Sequence, residues 1–480
     1  MSQKGNHEQG AGHTGFFQRV ALGVTAWTER WFPDAFIFTA LAVLAVAAGA
    51  LIIGAPPKII AVSFGTGFWS LITFTMQMAI IVIIGYVVAS SPPVKRLIDA
   101  LAAVPKTGRG AIAYVAFVSM LCSLLNWALS LVFAGLLVRS LARRNDLKMD
   151  YRAAGAAAYL GLGSIWALGI SSSAAQLQAN STSLPKPIMQ ITGVIPFSET
   201  IFTWQSMLMC LILMILSLVI AYLSAPSEAQ SHTAHDLGID TNNESDALPQ
   251  RERPGEWLEY SPILTIFIAV LGIGWIWNEF STKGFILGIS NLNSYNFLFF
   301  ILGLLLHWRP RRFLNAVTKA VPATAGILVQ FPLYGGIAAM LTEPKGADGF
   351  SLSHNLASVF VGLASTDSYP VLMGIYSAIL GFFVPSGGGK WIIEAPYVMQ
   401  AAIDLKVHLG WAVQVYNAAE ALPNLINPFW MLPLLGILGL KARDLIGYTF
   451  TQFMVHVPVV LFLLWALAST LTYQAPVIPQ

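Results

Sequence analysis

The sequence predicts an all-α polytopic membrane protein with two inverted-topology repeats, each containing a re-entrant hairpin and a broken helix. Of its 480 residues, 56% are hydrophobic and only 10% are charged, which is far from the balance of a soluble domain. The apolar stretches come in blocks of roughly 18 to 30 residues, long enough to cross a hydrocarbon core of about 30 Å. Small polar residues interrupt four of these blocks, at a depth where lipid would leave backbone groups unpaired.

Charge and cysteine content argue against several other classes of protein. The net charge of +3 is too small to predict nucleic-acid binding. Cys122 and Cys210 both lie in apolar segments, which favours two buried thiols over a disulfide or a thiolate metal site. The spans contain no metal-type His or Asp cluster, no nucleophile beside a base and no nucleotide loop, so a membrane enzyme is the less favoured interpretation.

Composition divides the chain into a polar tail, a first membrane half, a linker, a second membrane half and a C-terminal tail, at residues 1–32, 33–223, 224–257, 258–472 and 473–480. The first apolar block begins at Phe36, and no cleavable secretory signal is expected ahead of it. The linker is rich in Asp, Glu, Asn, Ser and His, which predicts a solvated cytoplasmic segment.

The positions of Arg and Lys predict the first hairpin, because short basic loops stay in the cytoplasm. Basic groups at residues 95–109 and 139–152 flank the apolar stretch 111–138. The chain must therefore enter and leave the membrane on the same side. We expect a re-entrant hairpin whose tip lies at Leu125-Asn126-Trp127.

A second hairpin is predicted in residues 371–402, which are interrupted by Pro385-Ser386-Gly387-Gly388-Gly389-Lys390. No basic cluster flanks this stretch, yet the positive charges after it must again lie inside, so it enters from the opposite side. Each hairpin is followed by a span with a central break, at residues 169–173 and 424–428. Roughly ten spanning segments plus the two re-entrant hairpins are expected in all, and this is the arrangement expected of secondary transporters.

The two tips and the two breaks are predicted to converge on one substrate site. Helix N-termini exposed there offer unpaired N–H groups and the positive end of the helix dipole, which suit a carboxylate. The expected substrate-binding residues are Asn126, Trp127, Ser171, Ser172, Ser173, Ser386, Gly387, Gly388, Gly389, Lys390, Trp391, Asn424 and Asn427. Oxygens of Asn126, Ser386 and Asn424 could also hold a sodium ion, and proton coupling is the competing interpretation.

Each of these residues also has a structural interpretation. The glycines could form a turn that needs φ > 0, the asparagines could cap helices, and the tryptophans could be interface anchors. Lys390 could pair with the substrate carboxylate, reach toward water, or pair with Glu394 one turn later. Glu420, which has no Lys or Arg within one turn, is either a proton carrier or a hydrogen-bonded structural carboxylate.

Two motifs, V-P-S-G-G-G-K-W-I-I at residues 384–393 and E-A-L-P-N-L-I-N-P-F-W at residues 420–430, resemble the bacterial short-chain fatty acid transporter family. W-F-P-D at residues 31–34 and T-A-G-I-L-V-Q-F-P at residues 324–332 extend the similarity over nearly the whole chain. The resemblance implies membership of the ion transporter superfamily, with dimeric, elevator-type carriers built from a scaffold and a moving transport domain. The family pattern has His in place of Lys390 and Gln in place of Glu394, which leaves substrate and coupling ion open.

The expected function is secondary active transport of small monocarboxylates such as butyrate or acetoacetate across the bacterial inner membrane. Alternating access would be driven by a sodium or proton gradient, with Glu420 and Glu394 as the ion-coupling residues and no other cofactor. The expected partners are the carboxylate substrate, membrane lipid and a second copy in a homodimer. The alternatives are a carrier of dicarboxylates or another organic anion, a channel, and a membrane-embedded enzyme.

Overall fold

A computed structural model describes residues 35–241 and 250–478, together with the single residues 30 and 248. Within that part of the chain the regular structure is helical, and the only β-type pairings are two isolated bridges, Gly193 with Val477 and Lys345 with Ser351. The predicted all-α class is therefore confirmed. The motif at residues 31–34 and nearly all of the predicted N-terminal tail lie outside the described residues.

The α-helices of the first half are α1 Ala35–Ile52, α2 Pro57–Ser70, α3 Ile72–Ala89, α4 Pro92–Ala102, α5 Gly108–Leu125, α6 Trp127–Ala142, α7 Tyr151–Leu160, α8 Ser173–Gln178, α9 Lys186–Thr192 and α10 Trp204–Ser224. Proline is the first residue of α2 and α4 and the second residue of α9, where its missing N–H costs nothing and its fixed φ favours a helix start. The chain therefore turns sharply between apolar helices that follow each other closely in sequence.

The second half continues with α11 Trp257–Tyr260, α12 Ile263–Lys283, α13 Phe285–Ser290, α14 Leu292–His307, α15 Pro310–Ala320, α16 Ala325–Thr342, α17 Leu352–Leu363, α18 Tyr369–Phe383, α19 Gly387–Asp404, α20 Leu409–Asn424, α21 Leu432–Leu438 and α22 Ala442–Ala468. Both α4 and α15 are amphipathic, with basic residues on one face, and they follow the apolar helices α3 and α14. Such helices suit the boundary between membrane and water.

Seven helical segments of the described chain are long and apolar enough to cross a membrane, or eight if the bent pair α20 and α21 forms one span. Five further apolar helices are shorter than a full span: Phe36–Ile52, Trp127–Ala142, Leu292–His307, Leu352–Leu363 and Tyr369–Phe382. The protein is thus a multi-pass membrane protein, with fewer full-length spans than the sequence predicted. Turns and breaks divide several of the apolar blocks into shorter helices.

Helices α5 and α6 form a helical hairpin, hairpin 1, joined at the single residue Asn126. That residue has extended backbone angles, φ −157° and ψ 120°, and is the C-cap of α5 and the N-cap of α6. At the open end, the Arg144 guanidinium after α6 donates to the Ala102 and Pro105 carbonyls before α5, at 3.0 and 2.7 Å. The two helices therefore start and finish at the same level, as predicted.

Helices α18 and α19 form hairpin 2, joined by residues 384–386. Near its open end the Tyr369 hydroxyl donates to the Val398 carbonyl at 2.7 Å, and the Thr366 hydroxyl donates to the Leu405 carbonyl at 2.7 Å. Both helical hairpins are thus where the sequence placed them. Their re-entrance into a membrane, and the inverted relation of the two repeats, stay predictions.

Both predicted helix breaks are present. After α7 the chain passes through a π-helical turn, Gly161–Ile165, and a 3-10 turn, Trp166–Leu168, before it opens ahead of α8. After α20 it opens ahead of a 3-10 turn, Pro428–Met431, and the two sides of this break are bent by 75°.

The described part of the linker is mostly exposed or half-buried, with Ala225 and Ala234 buried, and hydrogen bonds hold it against the first half of the chain. The Tyr151 N–H donates to the His232 carbonyl, and the His232 N–H donates to the buried Asp150 carboxylate, both at 2.9 Å. Arg109 near the start of hairpin 1 donates to Pro226, and Arg139 near its end donates to Asp240. Both ends of hairpin 1 therefore face the linker, as the distribution of basic residues predicted.

Candidate functional site

One chamber lies where both hairpin tips and both helix breaks meet. Its wall includes Trp127 from the tip of hairpin 1, residues 386–388 from the tip of hairpin 2, Ser173 from the first break and Asn424 from the second. The four interruptions that the sequence predicted to converge do meet here. The remaining wall consists of Met78, Leu162, Trp166, Ile327, Phe331 and Trp430.

A wider cleft adjoins this chamber and shares Ile327, Phe331, Ser386 and Trp430 with it. The chamber has a volume of about 30 Å³, whereas the cleft has about 400 Å³. By volume the chamber suits a small polar group or two or three waters. The rest of the cleft is lined by Phe36, Ala323, Gly326, Val329, Gln330, Pro385 and Phe429, and none of the residues lining either space is charged.

The three glycines at the tip of hairpin 2 allow aromatic rings to pack directly on the backbone. None of the three has a positive φ, so the interpretation of this segment as a left-handed glycine turn is wrong. A Cβ atom would instead meet the ring of Trp166 at Gly387, Phe74 at Gly388 and Tyr334 at Gly389. Glycine is required here because the backbone and its neighbours approach closely.

The N-terminus of α19 presents free donors to the chamber. The Ser386 hydroxyl accepts from the Gly389 N–H at 3.2 Å, and its carbonyl accepts from the Lys390 N–H at 2.7 Å. The first two N–H groups of the helix, at Gly387 and Gly388, are left for a ligand because an α-helix offers them no internal acceptor. Together with the helix dipole they favour an anion.

Asn424 and Trp166 bring unpaired polar atoms to the same chamber. Asn424 is 1% exposed, and neither its amide nitrogen nor its amide oxygen has a hydrogen-bond partner in the described part of the chain. The indole nitrogen of Trp166 is likewise buried and unpaired there. Leaving a buried polar group unsatisfied costs about 1–3 kcal/mol. Such a cluster around one cavity indicates a site built to bond a ligand.

The tip of hairpin 1 is closed by its own hydrogen bonds. The Trp127 N–H donates to the Ser171 hydroxyl at 2.8 Å, and the Ser171 N–H donates to the Leu124 carbonyl at 3.2 Å. The Asn126 side chain accepts from the Leu129 N–H at 2.9 Å. Asn126 and Ser171 therefore hold the tip together, and only the Trp127 ring of this tip lines the chamber, 5.2 Å from the Trp430 ring.

Lys390 lies behind the chamber in a buried ionic cluster. Its ammonium donates to the Ser377 carbonyl at 2.9 Å, to the Ser377 hydroxyl at 2.6 Å and to Glu394 at 2.8 Å, and it lies 2.9 Å from Glu420 Oε2. The predicted pairing of Lys390 with Glu394 is confirmed, and its solvation by water is wrong, since the side chain is 0% exposed. Glu420, which has no basic neighbour in sequence, receives one from α19.

The other predicted residues surround the chamber without lining it. The Ser172 hydroxyl accepts from the Ala175 N–H and donates to the Asn417 amide oxygen. Trp391 is fully buried, packs on the Tyr416 ring at 4.7 Å and donates its indole N–H to Gln178. The Asn427 amide donates to the Phe382 carbonyl at 3.0 Å. Their roles in binding stay predictions.

Sequence reasoning missed Trp166, Phe331, Ser377 and Tyr416. Trp166 begins the 3-10 turn that leads into the first break, and this position was its only local signal. The Tyr416 hydroxyl donates to the Gly387 carbonyl at 2.5 Å, while its ring lies 4.3 Å from the Lys390 ammonium. That double contact joins distant parts of the chain, so no local pattern could predict it.

Among the described residues, no group of three or more His, Cys, Asp or Glu side chains lies close enough to hold a metal ion. Both cysteines are free, with Cys210 buried and Cys122 half-buried. The geometry of the chamber is suited to binding an anionic head group through neutral donors.

The chain matches the family described as short chain fatty acid transporter over residues 16–467. It is 36% identical over 435 residues to a protein of Escherichia coli strain K12 named for short-chain fatty acid transport, covering 90% of this chain and 96% of that protein. A protein of Haemophilus influenzae strain Rd with the same name is 32% identical over 453 residues, covering 92% of this chain and 98% of that protein.

Two solved transporters have a similar fold. The YdaH transporter of Alcanivorax borkumensis superposes with a TM-score of 0.56 at 14% identity, over 91% of this chain and 98% of that one. MtrF of Neisseria gonorrhoeae, described as illuminating a class of antimetabolite efflux pumps, superposes with a TM-score of 0.54 at 15% identity, over 97% and 99% of the two chains. At these identities the likeness concerns the fold alone.

Proposed function

The chain belongs to the short-chain fatty acid transporter family, and we propose that it is a secondary active transporter of small monocarboxylates such as butyrate or acetoacetate. The observation that carries this proposal is the set of unpaired donors around the small chamber. The Asn424 amide, the Trp166 indole N–H and the first N–H groups of α19 all border it. Together they could replace the water shell of one carboxylate.

In the proposed binding mode the carboxylate occupies the chamber and the acyl chain extends into the cleft. Removing a carboxylate from water costs several kcal/mol unless the protein supplies equivalent hydrogen bonds. The chamber donors would supply them, and Ile327, Phe331 and Trp430 would cover the methylene groups. The difference in size between chamber and cleft supports this orientation.

The lining favours one carboxylate over two. Neither the chamber nor the cleft is lined by Lys, Arg or His, and the Lys390 ammonium is held by Ser377, Glu394 and Glu420. The second carboxylate of a dicarboxylate would therefore lie unpaired against apolar walls, which is costly. Direct pairing of Lys390 with the substrate carboxylate stays a prediction.

The proposed cycle is alternating access by an elevator-type motion in the bacterial inner membrane. The two hairpins and the two broken helices would move as one domain against the remaining helices, within a homodimer. A cation gradient would drive the cycle. Oxygens of Asn126, Ser386 and Asn424 could hold sodium, or Glu420 and Glu394 could carry a proton.

Uptake into proteoliposomes tests the proposal. Labelled butyrate should enter vesicles containing the purified protein with saturable kinetics, above the passive entry of the acid into protein-free vesicles. Acetoacetate should compete with butyrate, and succinate should not. Competition by succinate but not by acetoacetate would instead favour the dicarboxylate carrier, and uptake that fails to saturate would favour a channel.

A further inference from the structure

We infer that the coupling ion is a proton carried by Glu420, within a buried cluster of Lys390, Glu394 and Glu420 one helical turn behind the chamber. This inference rests on the proposed function, because it names the ion that moves with the substrate. It assigns different roles to the three side chains: Glu420 binds the proton, while Lys390 and Glu394 set how tightly it is held.

The cluster contains one cationic side chain and two acidic ones, so it lacks one positive charge when both acids are ionised. Lys390 and Glu394 are 0% exposed and Glu420 is 1% exposed. One ammonium and two carboxylates sum to −1 when both acids are ionised. A net charge buried at this depth is costly, and a single proton on one carboxylate makes the cluster neutral.

The hydrogen bonds of Lys390 indicate which carboxylate takes the proton. An ammonium has three N–H donors, and these go to the Ser377 carbonyl, the Ser377 hydroxyl and Glu394 Oε1. Glu420 Oε2 lies 2.9 Å from the same nitrogen without a donor of its own, and neither of its oxygens has a hydrogen-bond partner in the described residues. Glu394 Oε2 is also without a partner there, but Glu394 Oε1 accepts a hydrogen bond from the ammonium. Glu420, which has the ion pair alone, is thus the less stabilised of the two carboxylates as an anion.

The same arrangement disfavours sodium at this position. The Lys390 ammonium already lies within 2.8 Å of Glu394 and 2.9 Å of Glu420, so a fixed cation occupies the place between the two carboxylates. A metal ion there would be repelled by the ammonium, which already takes up the oxygens of Ser377, Glu394 and Glu420, whereas a proton needs only one carboxylate oxygen. A sodium ion would have to bind elsewhere, such as at the chamber oxygens.

Helix geometry connects the cluster to the substrate chamber. On α19, Lys390 follows the N-cap Ser386 by one turn, and on α20, Glu420 precedes Asn424 by one turn. Residues four apart lie on the same face of a helix. Tyr416 makes a third connection, since its hydroxyl bonds to the Gly387 carbonyl and its ring contacts the Lys390 ammonium. The tip and the cluster are therefore in direct contact, and this contact would couple substrate binding to the cluster.

The titratable groups that face the cluster from neighbouring helices are tyrosines, namely Tyr334 of α16, Tyr369 and Tyr376 of α18, Tyr397 of α19 and Tyr416 of α20. The other titratable residues on helices packed near hairpin 2 do not face the cluster. Lys186 of α9 is exposed, His354 of α17 stacks on Phe350, and His456 of α22 bonds to Ser217. None of these tyrosines supplies a charge that would replace the proton.

The transport step then balances without another reactant. A proton from one side forms an O–H bond at the Glu420 carboxylate as butyrate binds in the chamber. The neutral cluster and the substrate move together, and the O–H bond breaks on the other side, where the proton leaves to water. One anion and one proton cross in the same direction.

Glu420→Gln tests the inference, because the amide imitates the protonated acid permanently. In sodium-free proteoliposomes an inward proton gradient should drive butyrate accumulation by the wild-type protein, and a pH-sensitive dye inside should report proton entry above that of protein-free vesicles. The variant should lose both signals to the background level while labelled butyrate still exchanges with internal butyrate. Asp404→Asn changes an exposed carboxylate on the same helix α19, and this control should behave as the wild type.

Glu394→Gln gives an independent test with a graded readout. The change leaves Lys390 and Glu420 as a balanced pair, so Glu420 should hold its proton less tightly. The pH at which gradient-driven uptake is half-maximal should therefore move to a lower value. A purely structural role for Glu394 would lower the rate at every pH without moving this midpoint.

The outcomes separate the inference from the proposed function. Three results would overturn the inference and leave the proposed transport intact. They are sodium-dependent butyrate uptake by the wild type without proton entry, an unchanged proton response in Glu420→Gln, and an unchanged pH midpoint in Glu394→Gln. Absence of saturable butyrate exchange by the wild type would instead overturn the proposed function.

Discussion

The two hairpin tips occupy corresponding places in the two halves of the chain, yet they are built differently. At the tip of hairpin 1, the Trp127 N–H donates to the Ser171 hydroxyl and the Ser171 N–H donates to the Leu124 carbonyl. The Tyr295 hydroxyl donates to the Leu125 carbonyl at 2.5 Å, so these backbone groups are occupied. At the tip of hairpin 2, Trp166, Phe74 and Tyr334 pack on the glycine backbone and leave the first N–H groups of α19 available.

The positions one turn beyond each tip differ as strongly. Ser130 follows Asn126 by one turn and donates its hydroxyl to the Ser119 carbonyl at 2.8 Å. Lys390 follows Ser386 by one turn and contacts two buried carboxylates. Similar helical hairpins therefore support different tasks: hairpin 1 encloses the chamber, and hairpin 2 carries the donors and charges that we assign to binding and coupling.

The largest expected difference between the tips concerns stability. Lys390→Met removes the cation between two buried carboxylates and should destabilise the protein by about 3–5 kcal/mol, whereas Ser130→Ala removes one hydrogen bond and should cost about 1 kcal/mol. Thermal unfolding of the detergent-purified variants, followed by tryptophan fluorescence, measures both.

Removing the carboxylates as well should restore much of this stability. In the triple variant Lys390→Met, Glu394→Gln, Glu420→Gln no buried charge is left unpaired, so its unfolding temperature should rise above that of Lys390→Met alone. Equal losses of stability in Lys390→Met and Ser130→Ala would contradict the different roles assigned to these two positions.

A methyl group at the second tip should strongly impair transport. Gly387→Ala places a Cβ atom against the Trp166 ring, and overpacking of this kind costs about 1–3 kcal/mol. Since 1.4 kcal/mol corresponds to a factor of ten, we expect butyrate affinity to fall by about 5- to 140-fold if the whole cost falls on the bound state. Gly436→Ala on α21, where a Cβ atom meets no atom within 4 Å, is the matched control for labelled butyrate binding and should match the wild type.

Substitutions at the two helix breaks should have opposite effects, one on substrate affinity and the other on stability. Asn424→Leu removes an amide with no partner in the described residues and should weaken butyrate affinity about tenfold or more without lowering the unfolding temperature. Ser172→Ala removes the N-cap of α8 and should cost about 1 kcal/mol of stability with little change in affinity. The reverse pattern in paired binding and unfolding measurements would contradict the assignment of Asn424.

The smallest expected effect is the contribution of each methylene group of the substrate. If the acyl chain lies in the apolar cleft, each added CH₂ from acetate to butyrate should contribute about 0.8 kcal/mol, or about fourfold in affinity. Competition of the unlabelled acids against labelled butyrate measures this series. Trp430→Ala removes a side chain that lines both chamber and cleft, so affinity should depend less on chain length in this variant. If the affinity of the wild type does not depend on chain length, the acyl chain does not lie in the cleft.

Much of the fold and part of the candidate site could be predicted from the sequence. Basic loops and polar interruptions located both hairpins and both breaks, and the donors at Gly387 and Gly388 follow from helix termini. The short helices α2, α13 and α17 were not predicted, because an apolar run does not reveal where the chain turns within it. The hydrogen bonds that join the linker to Arg109, Arg139 and Asp150 were not predicted, because a polar composition does not show which groups the segment meets.

The sequence by itself determined a multi-pass helical membrane protein with four polar interruptions, since hydropathy and charge spacing are local properties that govern membrane insertion directly. Only the tertiary structure decided which interruptions bind and which close. It brought Trp166 onto Gly387, left the Asn424 amide without a partner, and set Lys390 beside Glu420. Contacts between residues far apart in the chain depend on how helices pack, and that packing determines whether a buried polar group is satisfied or left for a ligand.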